Sequence, residues 1–142
     1  MSNNESKDEI ILAQWQTCVE MANSVSQRRD TVNNIFITLN TAIMGTFAVL
    51  SGMKSLMILF AGVVVCFIWI KFIKYYRQLN AAKFEVINKI EEKLPCQAFK
   101  DEWAILKSNK NYSDGTKLET LFAIAFILLY IIVSLLYILS YI

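Results

Sequence analysis

The stretch RRDTVNNIFITLN, residues 28–40, decides the fold. Two arginines and an aspartate give way to a run, 31–53, with no charged side chain. A bilayer core about 30 Å thick needs roughly 20 helical residues, so this run is long enough to cross. Yet it carries Asn33, Asn34, Thr38, Asn40 and Thr41. Hydrocarbon offers an amide no hydrogen-bond partner, and leaving one unmade costs several kcal/mol. The amides must therefore face protein or water.

On a helical wheel of about 100° per residue, Asn33, Asn34, Thr38, Asn40, Thr41 and Gly45 are placed in one arc of roughly 160°, with Ile35, Phe36, Leu39, Ile43, Phe47 and Leu50 opposite. Two uses of such an arc stay open. Its amides hydrogen-bond between helices, at an average of about 0.6 kcal/mol each in membranes. Alternatively the arc repeats around an oligomer axis and lines a wet pore, which a three-span chain cannot enclose alone. Arg28 and Arg29, at the edge of the run, serve as headgroup anchors or as a charged ring at a pore mouth.

Working outward, the rest of the chain supports an all-α, membrane-embedded reading. Of its 142 residues 56% are hydrophobic and 18% charged, against about a quarter charged in an ordinary soluble domain. The net charge of +2 is too small to argue for nucleic-acid binding. Two further uncharged runs are 55–70 and 120–142. Lys71 and Lys74 can snorkel, so Phe72 and Ile73 count toward the second span. A single membrane domain is expected, with a cytoplasmic helix at about 8–30 and spans at about 31–52, 55–74 and 118–141. A cytoplasmic helical segment, 75–117, separates the second and third spans.

Orientation follows from Lys and Arg placement. Three precede the first run, one separates the first from the second, ten lie between the second and third, and none follows. That bias puts the N-terminus and 71–117 in the cytoplasm and the C-terminus outside, in a bacterium across the inner membrane. Glu5, Asp8 and Glu9 stand where a secretory signal would need an apolar core. Cys18, Cys66 and Cys96 show no CxxC spacing and read as incidental small residues.

No proline or glycine occurs from residue 8 to residue 44, so one helix is expected over 7–52 after frayed residues 1–8. Its cytoplasmic half carries Ile11, Trp15, Cys18, Ala22 and Val25 in the spacing of a coiled-coil seam. The short turn 51–55 makes the first two spans antiparallel neighbours. A second helix, 55–94, then meets no breaker before Pro95. Its cytoplasmic half has two apolar stripes. One is Phe72, Tyr76, Leu79, Val86 and Ile90, interrupted at Lys83; the other is Phe84, Ile87 and Leu94. One stripe buries against the first helix. The other needs a short helix over 97–107, with Phe99, Trp103 and Leu106, or a neighbouring subunit. Trp15, Val25, Tyr76, Leu79, Phe84 and Ile87 are thus the candidate stalk or oligomer contacts. The loop 109–115 leads to a last span that reads as apolar all round and lipid-facing.

No catalytic constellation stands out. There is no GxSxG, phosphate-binding glycine loop or metal-ligand cluster, so no enzyme activity and no cofactor are expected. Arg28–Asn33 and Arg29–Asn34 echo the R-x-x-x-x-H pattern of HEPN-type nucleases, but the chain has no histidine, and asparagine cannot shuttle a proton at neutral pH.

Several stretches together resemble a known family. They are WQTCVEMANSVSQRRDTVNNIFITLN (15–40), YYRQLNAAKFEVINKIEEKLP (75–95), FKDEWAIL (99–106) and LET (118–120). They are similar to the RipA-family octameric membrane proteins of bacteria. The resemblance implies three spans and an eight-fold homo-oligomeric ring. It also implies an architecture similar to the octameric pore proteins of RNA-targeting CRISPR systems, which permeabilise or depolarise membranes in antiviral defence. On that reading Asn33, Asn40 and Thr41, with Asn34 and Thr38, line the pore, and Arg28 or Arg29 stands at its cytoplasmic mouth. The partners are sister chains and membrane lipid. The alternative is a non-conducting scaffold whose cytoplasmic helices recruit a partner protein.

Overall fold

The computed structural model describes residues 3–110 and 112–140, with side chains from residue 6 onward. Expectations for residues 1–2, 111 and 141–142 lie outside the described residues. Four helices follow in order: α1 (Asn3–Val49), α2 (Met53–Glu91), α3 (Ala98–Ser108) and α4 (Gly115–Leu139). Among the described residues there is no strand. α1, α2 and α4 are each long and apolar enough to cross a membrane.

The helix boundaries have local causes. α1 begins at Asn3 instead of residue 7, since acidic residues early in a helix complement its N-terminal dipole. It stops before Gly52, whose φ of 67° suits a residue without a Cβ. α2 ends at Glu91, just before Pro95. The Glu91 carboxylate, 1% exposed, then starts α3. It accepts from the backbone N–H of Phe99 at 3.1 Å and of Lys100 at 3.3 Å, two donors that a helix start leaves open. Asp114 caps α4 by accepting from Thr116 N–H at 2.9 Å.

Packing divides the chain into two compact units. Unit 1 comprises residues up to 28 with 76–113; unit 2 comprises 29–75 with residues from 114 on.

In unit 1, Ala22 and Val25 of α1 and Ile87 of α2 are buried. Asn80 Nδ2 donates to Ser26 Oγ at 3.3 Å. α3 supplies the apolar plug: the Phe99 ring lies 5.8 Å from Trp15 and 5.6 Å from Phe84. The stripe that lacked a partner in the sequence is therefore met within the chain at Phe84. Trp103, expected beside Phe99, stays 48% exposed and instead meets the Tyr112 ring at 6.2 Å.

In unit 2, Ile43, Leu59, Cys66 and Tyr130 form one buried cluster, and Trp69, Ile73 and Ala123 another. Phe36 stacks on Trp69 at 5.8 Å. α4 is not apolar all round. Thr116, Ala123 and Tyr130 are buried at seven-residue spacing, a seam facing protein. A Cβ on Gly62 would overlap the Tyr130 ring, so the glycine admits the ring against the α2 backbone.

Candidate functional site

The polar residues of the first span separate into two seams. Asn33, Phe36, Asn40, Ile43 and Phe47 turn inward, buried or half-buried; Asn34, Thr38, Thr41 and Gly45 face outward, exposed. Each seam advances by threes and fours, so each is a stripe along one side of a helix. The single arc drawn from the sequence is thus corrected. Asn33 and Asn34 differ by about 100° around the axis, enough to send one in and one out. Phe36, Ile43 and Phe47, placed opposite the amides, share a side with Asn33 and Asn40.

The inward seam is a ladder of tertiary hydrogen bonds. Near its start, Arg29 Nε donates to Glu119 Oε2 at 3.0 Å, and Nη2 donates to Thr116 Oγ1 at 2.9 Å. This ion pair is 15% and 22% exposed. Next, Trp69 Nε1 donates to Asn33 Oδ1 at 2.8 Å. Asn40, fully buried, is the central node. Its Nδ2 donates to Phe36 O at 2.8 Å. Its Oδ1 accepts from Tyr130 O–H at 2.9 Å and from Cys66 Sγ at 3.1 Å. Asn40 therefore bridges α1, α2 and α4, and its amide has both ends met.

The outward seam is differently satisfied. Thr38 Oγ1 donates to Asn34 O at 2.8 Å and Thr41 Oγ1 to Ile37 O at 2.9 Å. A threonine hydroxyl tied to its own helix tolerates an apolar setting. Asn34 cannot do this: its side-chain amide is exposed and has no partner among the described residues. Thr31, Asn34, Ile35, Thr38, Leu39 and Ala42 line a shallow groove of about 480 Å³.

The other candidates fall as follows. Arg28 is exposed, whereas Arg29 is half-buried and held by Glu119. Trp15, Tyr76, Leu79 and Phe84 are half-buried, and Val25 and Ile87 buried. Residues that sequence reasoning passed over are Glu119, Trp69, Cys66, Tyr130 and Gly62. Tyr130 left a signal, because Thr116, Ala123, Tyr130 and Tyr137 recur every seven residues in the last span. Among the described residues no group of acidic and sulfur side chains is arranged to hold a metal ion.

No curated protein and no solved structure matches the chain. A family model described as "Octameric membrane protein family (8xMP)" matches residues 12–140. That match takes in all three apolar helices, both seams of α1 and the α3 plug. The chain belongs to the octameric membrane protein family.

Proposed function

We propose that eight copies form a ring of the RipA type in a bacterial inner membrane, with the outward seam of α1 lining a wet pore. The N-terminus and 75–117 lie in the cytoplasm, and the C-terminus lies outside. The ring permeabilises the membrane as a stress or antiviral-defence effector. One observation carries this reading: the Asn34 amide sits unpaired on the outer face of a membrane-length helix. Acyl chains would leave it unmet, at a cost of several kcal/mol, whereas water in a pore meets it. Thr38, Thr41 and Gly45 continue the same small, polar stripe. Arg28, three residues before Thr31 and exposed, is the candidate for the cytoplasmic mouth; Arg29 is engaged by Glu119.

The second reading, a non-conducting scaffold that recruits a cytoplasmic protein, draws on the exposed Trp103 and Ile105 of α3. Flux from reconstituted liposomes separates the two. The wild-type ring is expected to release a small ionic dye. Asn34→Leu with Thr38→Val and Thr41→Val is expected to keep ring size and thermal stability while flux stops. An intact wild-type ring that passes nothing, or a triple variant that passes as much as wild type, would remove the pore.

A further inference from the structure

The chain itself ties the end of α3 to a membrane span. Tyr112 stands three residues before Gly115, where the membrane-length helix α4 begins. Three residues of extended chain reach about 10 Å at most. The headgroup layer beside the hydrocarbon is about 5 to 8 Å thick on each side. Tyr112 is thus tethered next to that layer, and it holds α3 there. Its ring meets the edge of Trp103, with centroids 6.2 Å apart. Lys107 Nζ in turn lies 5.3 Å over the same indole.

The face so formed has no cover within the chain. Trp103 and Tyr112 remain 48% and 42% exposed. Lys100, Lys107 and Lys110 are exposed, and among the described residues none of the three has an ion-pair partner. Lys100, Trp103, Lys107 and Lys110 follow at spacings of three, four and three, so over α3 they make one stripe, with Lys110 just past its end. The acidic residues of α3 stand apart from it. Asp101 and Glu102 lie about 120° and 140° around the helix from Lys107. Ile105, about 160° from Trp103, belongs to the other side.

Two half-exposed aromatic rings among three cations suit one surface well. A headgroup layer takes an amphipathic ring with its apolar body toward the tails and its polar tip in water. Lysine stems lie along such a boundary with the ammonium held out to phosphate. Anionic lipid adds attraction for each cation near the surface. We propose that the Lys100–Trp103–Lys107 stripe, with Tyr112 and Lys110, docks on anionic headgroups of the membrane that α4 crosses. Trp103 is the anchor, and Lys107 and Lys110 face phosphate. This contact needs α4 in a bilayer, and neither a pore nor a particular copy number.

The test uses the full chain in vesicles of phosphatidylcholine alone and of phosphatidylcholine mixed with phosphatidylglycerol. Trp103 is read as the difference in emission between wild type and Trp103→Phe. A nitroxide on the lipid headgroup is expected to quench Trp103 strongly in the mixed vesicles and weakly in phosphatidylcholine. The neutral aqueous quencher acrylamide is expected to show the reverse, and high salt to shrink both differences. Lys107→Glu with Lys110→Glu is expected to abolish the dependence on phosphatidylglycerol, and glutamine at both positions to weaken it. Circular dichroism and the thermal midpoint are expected to stay at wild-type values in both variants. Equal quenching in the two kinds of vesicle, or folded variants that keep the wild-type dependence, overturns the proposal. Shielding from acrylamide in every vesicle without quenching by the labelled lipid assigns this face to another protein chain, and overturns it too. Dye flux, which decides the pore, enters none of these outcomes.

Discussion

In unit 2, Asn33 and Asn40 are met by Trp69, Cys66 and Tyr130, and Arg29 by Glu119 and Thr116. In unit 1, Trp15 Nε1, Asn80 Oδ1 and Asn88 Oδ1 are buried without a hydrogen-bond partner. Ser55 Oγ is the exception in unit 2. The contrast follows from the surroundings. A polar atom on a helix in hydrocarbon has no other source of hydrogen bonds, so the tertiary fold must supply one. Where water reaches a polar atom, solvent can serve instead, and internal pairing need not be complete. Loss of an internal hydrogen bond should accordingly cost more in unit 2 than in unit 1.

The sharpest way to break that comparison is a matched pair. Asn40→Leu strands the Cys66 thiol and leaves the Tyr130 hydroxyl only its longer bond, 3.2 Å, to the residue 40 carbonyl, and is expected to cost about 3 kcal/mol. Asn80→Leu removes one long hydrogen bond and an oxygen already unpartnered, and is expected to cost about 1 kcal/mol or less. Denaturant unfolding of the detergent-solubilised chain measures both. Equal losses would mean that the membrane setting adds nothing.

Next in size is Gly62→Ala. Its Cβ would lie 2.7 Å from Tyr130 Cε1 and 2.8 Å from Cε2, against a rigid ring. A loss of about 2 kcal/mol is expected from overpacking. Gly45→Ala meets nothing within 4 Å and is expected to gain about 0.5 kcal/mol from helix propensity. Thermal midpoints of the two variants should therefore move in opposite directions.

Within unit 1, Glu91→Ala frees the N–H groups of Phe99 and Lys100. A loss of about 1 to 2 kcal/mol is expected, confined to α3. Amide hydrogen exchange should speed up across 98–108 and stay unchanged in unit 2. Faster exchange in both units would show that the units melt as one.

The smallest effect belongs to Glu85 and Lys89, 2.8 Å apart and both 69% exposed. The hydrogen bond from Lys89, and then its charge, hold the Glu85 carboxyl below its ordinary range. The same contact holds Lys89 above its own. A lowered carboxyl contributes stability above its unfolded pKa and loses it as pH falls through the folded value. A raised ammonium contributes below its unfolded pKa and loses it as pH rises through the folded value. The pair therefore supports α2 across neutral pH and fades at both extremes. Solvent screens it, so Glu85→Gln should shift the melting midpoint less than any variant above. The difference from wild type should vanish once pH has fallen through the lowered folded value of Glu85.

Much of this was legible in the residues. Three uncharged runs of membrane length, Pro95, Gly52 and the threes-and-fours spacing around Trp15 and Phe99 fixed the helices and their order. Bilayer thickness and helix period act on local composition alone, and a sequence displays both directly. The division of the asparagines was not legible. Asn33 and Asn34 are chemically alike and adjacent, and which one turns inward depends on where Trp69 and Tyr130 come to lie. Likewise Arg28 and Arg29 are one motif in the sequence, yet Glu119, ninety residues away, engages only Arg29. Tyr130 read as one more apolar residue of the last span until Gly62 gave its ring room and Asn40 gave its hydroxyl a partner. The sequence by itself determined that the chain crosses a membrane with amides in one span. Tertiary structure decided which amides are buried in the protomer and which stay open, because that choice depends on groups brought together from distant parts of the chain.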